Sequence, residues 1–508
     1  KGGNFADPYP LSENLFIVAE GNKVLLMDGK GQTQVLHQSE HLVFEPRAVM
    51  KRERERIIIP RTNARKETGQ LVLTDVYHGR NMVGVERGDI KKLLVIETLP
   101  KPVNFSGGPD LMSWLGTFTL ERVLGTVPVE DDGSASFEIP ANRAVFFVAL
   151  DENELSVKRM QSFVSVMPGE VTGCVGCHET RGETPPEPAS TLLALERAPS
   201  SIEPFEDYPD VLDFHRDIQP VLDRNCVECH GYEKHEANVV LEGDLGLQWS
   251  LSFYQLFARL QVADGRNGYG NQPPRTIGTS ASRLMKKLDG SHYGVEVSER
   301  DWRTVWLWLE SAAPYAGSYA ALRNEAEMGL FGAGLGGIAK NGDVVARRCL
   351  QCHGQGDLPK IPYGPPPHPD TRGITRPVSR HERLVIENDP LAKYGLHAIF
   401  NLTRPELSTI LLAPLSKGAG GWGTCGEVFA DRTDQDYQVL LFALNAGKKA
   451  RDRIPRYSTP DWQPNAQYVR EMKRYGVLPA EMDPTRDKID GFETDQLYWR
   501  SLWYAGGM

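Results

Sequence analysis

Three copies of the pentapeptide Cys-x-x-Cys-His divide this chain, and each copy constrains what its surroundings can fold into. They lie at residues 174–178, 226–230 and 349–353 and use six of the seven cysteines. Random placement of the cysteines and histidines predicts on the order of 0.002 such pentapeptides, so composition does not explain three. The pattern is typical of covalent c-type haem attachment.

The chemistry of haem attachment requires these residue types at this spacing. Two sulfurs bond to the two vinyl groups of the porphyrin, and the adjacent histidine is held where it can bind the iron. Structural zinc needs four nitrogen or sulfur ligands, and an odd number of cysteine pairs fits that poorly. We therefore predict three covalently bound haem c groups. The predicted attachment residues are Cys174, Cys177, Cys226, Cys229, Cys349 and Cys352, and the predicted proximal ligands are His178, His230 and His353.

Covalent haem also predicts the compartment. Haem c is attached outside the cytoplasm in bacteria, so we expect a periplasmic or otherwise extracytoplasmic protein. The chain begins at Lys1, and no apolar run approaches the ~18 residues that span a bilayer, which predicts a processed or truncated product without a transmembrane segment. Cys425 has no cysteine left to pair with. We expect a buried thiol, with an iron ligand or an intermolecular partner as alternatives.

Size and charge narrow the function classes. A chain of 508 residues exceeds what one hydrophobic core supports, so several domains are expected. The net charge of −10 argues against nucleic acid, which would require a basic surface. The acidity agrees with a redox partner protein, such as a subunit of a larger complex, and is compatible with a homo-oligomer.

The hydrophobic pattern predicts an α+β multidomain protein. Short apolar runs at residues 15–18, 23–27 and 33–36 are separated by turns and predict a β meander over 1–55 that resembles the end of a β-propeller. Further strand signals predict a β-sandwich-like middle domain over 56–200 that carries the first motif. Helical signals then predict two mainly α-helical cytochrome c-like domains, over 201–335 and 336–508.

The second and third motifs are followed by a diverged internal repeat. Residues 283–288 and 302–309 parallel residues 408–415 and 437–444, so each unit has a motif, an insertion, a short helix, a loop and a terminal helix. Ser298 opens the terminal helix of the second unit with a capping-box-like sequence, and its tryptophans are expected in the core. In single-haem cytochrome c domains, the loop before the last helix presents the distal iron ligand.

This order of elements predicts distal ligands. The second loop, residues 289–295, contains His292, so we predict bis-histidine ligation of the second haem by His230 and His292, with His215 and His235 as competitors. His78 is the distal candidate for the first haem. The third loop, residues 417–426, has neither His nor Met, which predicts an open iron or a ligand from elsewhere. The candidates for that ligand are Cys425, Lys417, His397, His381 and His368.

The amino-acid sequence of the middle region resembles that of a known family. Residues 125–141, 149–152, 159–163 and 173–179 resemble the middle domain of the hydrazine synthase alpha subunit and its relatives, and residues 213–220 resemble the next haem domain. The resemblance covers about residues 8–320 and implies a propeller before the middle domain. It also implies two haems, whereas this chain has a third with its own domain. The family's iron-ligating tyrosine, four residues after the first motif histidine, is Gly182 here, so His178 is the default axial ligand.

Three function classes follow. The first is an extracytoplasmic triheme c-type cytochrome that transfers electrons, because nothing outside the motifs forms a catalytic constellation. The second is a haem oxidoreductase related to the hydrazine synthase alpha subunit, acting on a small nitrogen or oxygen species at a five-coordinate haem. The third is a structural or docking subunit of a respiratory complex, suggested by the aromatic tail at 498–504. Any small ligand is expected at the third haem, under Trp422.

Overall fold

The structure is a computed structural model in which the chain forms two compact parts, Lys1–Pro60 and Arg61–Met508. It describes residues 4–51, 53–104, 112–113, 119–160, 162–177, 191–246, 249–263, 271–322, 342–353, 400–453 and 462–506. Its architecture is α+β, with a β-rich N-terminal half and helices in the later part, as the sequence predicts.

The first part, Lys1–Pro60, contains an antiparallel meander. Strands β1 (Ala6–Ser12), β2 (Leu15–Glu20), β3 (Lys23–Asp28) and β4 (Thr33–Gln38) pair in sequence order, and β2 to β4 are the strands that the apolar runs predict. The buried side chains lie on β2 and β3, whereas β4 is exposed along its whole length.

The second part, Arg61–Met508, begins with two sheets that face one core. Its strands are β5 (Thr68–Asp75), β6 (Lys92–Thr98), β7 (Glu121–Pro128), β8 (Ala135–Pro140), β9 (Val145–Leu150), β10 (Ser156–Arg159) and β11 (Val171–Gly176). One sheet has the order β10-β9-β6-β7 and the other β11-β5-β8. Leu71 of β5, Val95 of β6 and Phe137 of β8 belong to the same buried cluster, so the two sheets pack face to face.

Helices follow the sheets. The helices between residues 200 and 322 are α1 (Gln219–Asn225), α2 (Val227–His230), α3 (Leu251–Ala258), α4 (Gly278–Ala281) and α5 (Glu299–Glu310). The later ones are α6 (Gly342–Arg348), α7 (Leu350–His353), α8 (Thr409–Leu412), α9 (Gln435–Asp452), α10 (Ala466–Arg474) and α11 (Gly491–Ser501). In the described ranges, no helix combines the length and the apolar character that a membrane crossing requires.

Helix α5, the terminal helix of the repeat unit that contains the second motif, forms as its sequence predicts. The Ser298 hydroxyl accepts a hydrogen bond from the backbone N–H of Asp301 and caps α5. Trp306 and Trp308 are fully buried, which confirms their predicted core position. The helix predicted over 283–288 is wrong, because only Met285–Lys287 forms a single 3-10 turn. A six-residue segment gains too few helical hydrogen bonds to offset nucleation, although Leu284 and Leu288 are still buried.

The two C-terminal helices pack away from the third motif. Tyr498 and Trp499 of α11 share a buried cluster with Leu99 and Tyr319, whereas α6, α8 and α9 contribute to another cluster. Trp499 also donates from its indole nitrogen to the carbonyl of Pro100 at 3.3 Å. The boundaries of the four predicted domains stay a prediction, but these contacts connect α10 and α11 to the middle of the chain.

Asp495 makes the stability of this C-terminal cluster depend on pH. Its carboxylate is fully buried and accepts hydrogen bonds from the Ser318 hydroxyl at 2.8 Å, the Tyr319 N–H at 2.6 Å and the Tyr468 hydroxyl at 2.7 Å. Burial raises the pKa of Asp495 from 3.8 to about 6 despite these donors.

A raised carboxyl pKa stabilises the folded state below the unfolded pKa, and this contribution is lost as the pH rises through the folded value. We therefore expect the free energy of unfolding to fall by about 3 kcal/mol between about pH 4 and pH 6 on account of Asp495. Urea unfolding across this range measures the change. Asp495→Asn should flatten this part of the profile, and an unchanged pH dependence in that variant would contradict the assignment.

Candidate haem sites

The second motif adopts a helical turn that places both cysteines on one side. Cys226 lies between α1 and α2, and its N–H donates to the carbonyl of Leu222 at 2.8 Å. Its own carbonyl accepts from the N–H of Cys229 at 3.2 Å and of His230 at 2.9 Å. Residues three apart on a helix are neighbours, so the two sulfurs can reach one porphyrin edge while His230 follows directly.

The imidazoles of His230 and His292 lie close together with nearly parallel planes. Their ring centres are 6.1 Å apart and their planes differ by 12°. A histidine nitrogen binds a transition metal at about 2.0 Å and lies roughly 1 Å from its ring centre, so two histidines on opposite sides of one metal ion have ring centres about 6 Å apart. The observed spacing fits one iron atom between the two rings.

The hydrogen bonding of His230 fits the same role. Its Nδ1 lies 3.1 Å from the carbonyl oxygen of Glu236, an arrangement that orients the ring and leaves Nε2 available to a metal. Partial burial, then the charge of Lys287, then His230 lower the pKa of His292. A lower pKa favours the neutral imidazole, which is the metal-binding form.

The two competing histidines point elsewhere. His215 belongs to a π-helical turn, Phe214–Ile218, and its ring lies 4.7 Å from the ring of Tyr315 in an aromatic cluster. His235 stacks on Trp422, with ring centres 4.4 Å apart. Among these three candidates, His292 is the one whose ring lies near that of His230, at the spacing expected for two ligands of one iron.

The third motif repeats the backbone geometry of the second. The Cys349 N–H donates to Val345 at 2.9 Å, and the Cys349 carbonyl accepts from Cys352 at 3.1 Å and from His353 at 2.9 Å. The internal repeat inferred from sequence therefore extends to the hydrogen bonds that shape the motif.

A matching pair of ionic clamps, which sequence reasoning missed, connects each motif helix to its terminal helix. Arg224, two residues before Cys226, binds Asp301 in the first turn of α5. Arg347, two residues before Cys349, binds Asp436 in the first turn of α9 at 2.7 Å. Burial opposes ionisation of Asp301, but hydrogen bonds led by that from Arg224 lower its pKa. Equal spacing from both motifs was the signal that could have predicted the clamps.

Cys425 is exposed, so the expectation of a buried thiol is wrong. It lies in a surface turn, where its N–H donates to the carbonyl of Ala413 at 3.0 Å. Burial, and then the charge of Cys425, raise the pKa of Cys349 to about 11. Cys349 packs on the cluster that contains Leu415 and Phe429, so the loop that carries Cys425 begins and ends near the third motif.

Of the other candidates for the third iron, the structure describes only Lys417. Lys417 is exposed at the start of a 3-10 turn, Lys417–Ala419. Trp422 stacks on His235, so its ring is engaged with the second unit, where we had expected it to cover the third haem. His368, His381 and His397 lie outside the described residues, as does His178 of the first motif.

The first motif differs from the others because its first cysteine lies on a β-strand and its second directly follows that strand. Cys174 lies on β11, which pairs in parallel with β5 so that Cys174 is opposite Leu73. The Cys177 N–H donates to the carbonyl of His78 at 2.8 Å. A Cβ on Gly79 would collide with the carbonyl of Cys177, so this close approach needs glycine. The structure thus brings the loop of His78 against the first motif.

A buried lysine, which the sequence did not single out, anchors this loop. Lys158 is 2% exposed, and its ammonium donates to the carbonyls of Asn81 at 2.9 Å and Gln272 at 2.5 Å. The side-chain amide of Asn81 donates to the carbonyl of Asn271, and the side-chain amide of Asn271 donates to the carbonyl of Arg80, each at 2.9 Å. Burial lowers the pKa of Lys158. Its partner Asn81 lies three residues after His78, whose carbonyl accepts the hydrogen bond from Cys177.

The donor sets fit haem better than zinc. Within the part of the chain that the structure describes, no three His, Cys, Asp or Glu side chains converge as ligands for a metal ion, whereas structural zinc requires four. Two parallel imidazoles beside a cysteine pair instead suit an iron porphyrin, which supplies its own four equatorial nitrogens.

One comparison with known protein families supports the resemblance of the middle domain to the hydrazine synthase alpha subunit. The family model described as hydrazine synthase alpha subunit middle domain matches residues 88–179, which include β6 to β11 and the first cysteine pair. No curated protein matches the chain. A solved hydrazine synthase of Kuenenia stuttgartiensis is 16% identical, with a TM-score of 0.45, over 62% of this chain and 55% of that chain. The chain thus spans about half the length of the solved structure that it matches.

Proposed function

We propose that this protein is an extracytoplasmic c-type cytochrome that transfers electrons through three covalently bound haems. The observation that carries the proposal is the parallel arrangement of His230 and His292, with ring centres 6.1 Å apart. Haem iron bound there would supply one-electron chemistry. Two histidines saturate the axial positions of an iron and give a lower reduction potential than a histidine and methionine pair, which suits electron transfer over substrate binding.

The side chains around the second motif divide the work of holding this group. Cys226 and Cys229 would tether the porphyrin, and His230 would bind from one face with its ring oriented by the Glu236 carbonyl. His292 would bind from the opposite face. The clamp between Arg224 and Asp301 keeps the motif helix fixed to α5, whose preceding loop carries His292. A site held this way changes little in shape on reduction.

A haem oxidoreductase is the second candidate, favoured by the match of residues 88–179 to the hydrazine synthase alpha subunit middle domain. That activity would need an iron with an open distal face. The third unit supports one, because its loop at 417–426 offers neither His nor Met and Trp422 is engaged with His235. The redox partners would be proteins that meet the chain outside the cytoplasm.

Carbon monoxide distinguishes the two functions. In a cytochrome with bis-histidine ligation the reduced iron has no free position, so we expect CO to leave the Soret band of the second haem unchanged. Any CO-dependent change should be confined to the haem of the third motif. Absorption spectra of the reduced protein, before and after CO, measure both. A ferric protein that is entirely low-spin supports the carrier, and a high-spin fraction that shifts with CO or NO supports the enzyme.

The matched control removes the third attachment site. In the double variant Cys349→Ser and Cys352→Ser, the CO response should disappear while the spectra of the other two haems remain. A response that persists in this variant would assign ligand binding to another haem and contradict the proposed role of the third unit.

A further inference from the structure

The chain segment that follows the second motif packs against the third unit. His235, five residues after His230, stacks on Trp422 with ring centres 4.4 Å apart and planes 21° from parallel. Tyr232 faces the same indole at 6.5 Å and 26°. Trp422 belongs to the loop that precedes the terminal helix of the third unit. The three rings therefore form a continuous aromatic contact between the two units.

Polar contacts fix this contact in one arrangement. Asn401 is fully buried, and its amide donates to the Tyr232 hydroxyl at 2.6 Å and to the Asp244 carboxylate. The Arg404 guanidinium lies 5.1 Å from the Tyr232 ring centre and pairs with Asp244 at 2.8 Å and with Glu242. Buried, satisfied polar networks specify one geometry, so the two units cannot slide on each other here.

Backbone hydrogen bonds add to the same interface. The Leu402 N–H donates to the Leu245 carbonyl at 2.9 Å, and the Leu245 N–H donates to the Thr403 hydroxyl at 2.8 Å. The interface thus joins residues 231–245 to residues 400–404 and Trp422. Each side is a short stretch of chain from a motif, since Cys349 packs on the cluster that contains Leu415 and Phe429, the residues that flank the loop of Trp422.

We propose that the stack of Trp422 on His235 is the contact through which the second and third haem sites exchange electrons. The inference rests on the proposed function. In the exchange, one electron leaves the reduced iron of one site and reaches the oxidised iron of the other, with no bond formed or broken and no proton moved. Offset aromatic rings in contact leave no gap between the units, and electron tunnelling falls off less steeply through contacting atoms than across a gap.

Two substitutions of Trp422 separate electronic coupling from packing. Trp422→Phe keeps an aromatic ring on His235, whereas Trp422→Leu keeps apolar volume without a π-system. We expect the concentration-independent electron redistribution that follows flash photoreduction to slow by roughly tenfold or more in the leucine variant and to stay close to wild type in the phenylalanine variant. Trp302→Leu, a half-buried tryptophan of α5 outside this interface, is the matched control and should not change the rate.

Two further measurements make the outcomes distinct. Mass spectrometry must find three haem units in every variant, and their absence from the wild-type protein would overturn the proposed function itself. Hydrogen exchange of residues 231–245 reports whether the interface is intact. A wild-type rate in Trp422→Leu with all haems attached overturns this inference and leaves the proposed function standing. Equal slowing in both Trp422 variants with lost protection at 231–245 also overturns it, because the indole would then serve only to hold the units together.

Discussion

Replacing Cys226 and Cys229 together by serine is expected to lower the mass of the denatured protein by one haem unit. Each thioether requires a cysteine sulfur, and a porphyrin without either bond is released on denaturation. Mass spectrometry of the denatured wild-type protein should give the chain mass plus three haem units, and the variant should give two. The corresponding pairs at Cys174 and Cys177, and at Cys349 and Cys352, should behave alike.

The seventh cysteine provides the control for this experiment. Cys425 is an exposed thiol beside the third motif and has no place in a Cys-x-x-Cys-His pentapeptide. Cys425→Ser should therefore retain all three haem units. A wild-type mass equal to that of the bare chain, or zinc in elemental analysis, would refute covalent haem altogether.

The first motif differs from the other two in its backbone geometry. In the second and third motifs the cysteine carbonyl accepts the same two backbone hydrogen bonds, so both have one helical geometry. In the first motif Cys174 lies on a strand, where side chains alternate between the two faces of the sheet. The sulfur of Cys177 can reach the same porphyrin only because the chain leaves the strand after Gly176 and turns toward the carbonyl of His78.

The local elements could be predicted because their signals are local. The alternation of apolar residues and turns located β2 to β4, and the serine before α5 located its capped start. The prediction of His292 as a ligand uses the same kind of signal, its position in the loop before a terminal helix. Each inference used a few neighbouring residues, whose preferences survive in the folded chain.

The features that sequence reasoning missed depend on residues far apart in the chain. The parallel pairing of β5 with β11 brings His78 to the first motif. Lys158 donates to the carbonyls of Asn81 and Gln272, which lie far before and far after it in the chain. Trp422 was expected to cover the third haem but lies on His235. Single-sequence patterns carry no record of such long-range pairings, because tertiary packing decides among many partners of similar chemistry.

Replacing His292 by alanine is expected to convert one of the haems from low-spin to high-spin and to raise its reduction potential, without changing the others. The imidazole that faces His230 would be lost, and a methyl group cannot bind iron. Electron paramagnetic resonance of the ferric protein measures the spin change, and a spectroelectrochemical titration measures the potential. Tyr293→Phe is the neighbouring control, because Tyr293 is 95% exposed and touches His292 only edge-on.

A conservative variant separates ligation from folding. His292→Met offers a thioether in place of the imidazole, so it should restore a low-spin iron at a higher potential than wild type, because methionine ligation raises the potential of a haem. A protein damaged only in its fold would gain nothing from methionine over alanine. An unchanged spectrum in His292→Ala would move the sixth ligand to His215 or His235. The parallel rings of His230 and His292 would then reflect packing alone, and the electron carrier would lose the observation on which it chiefly rests.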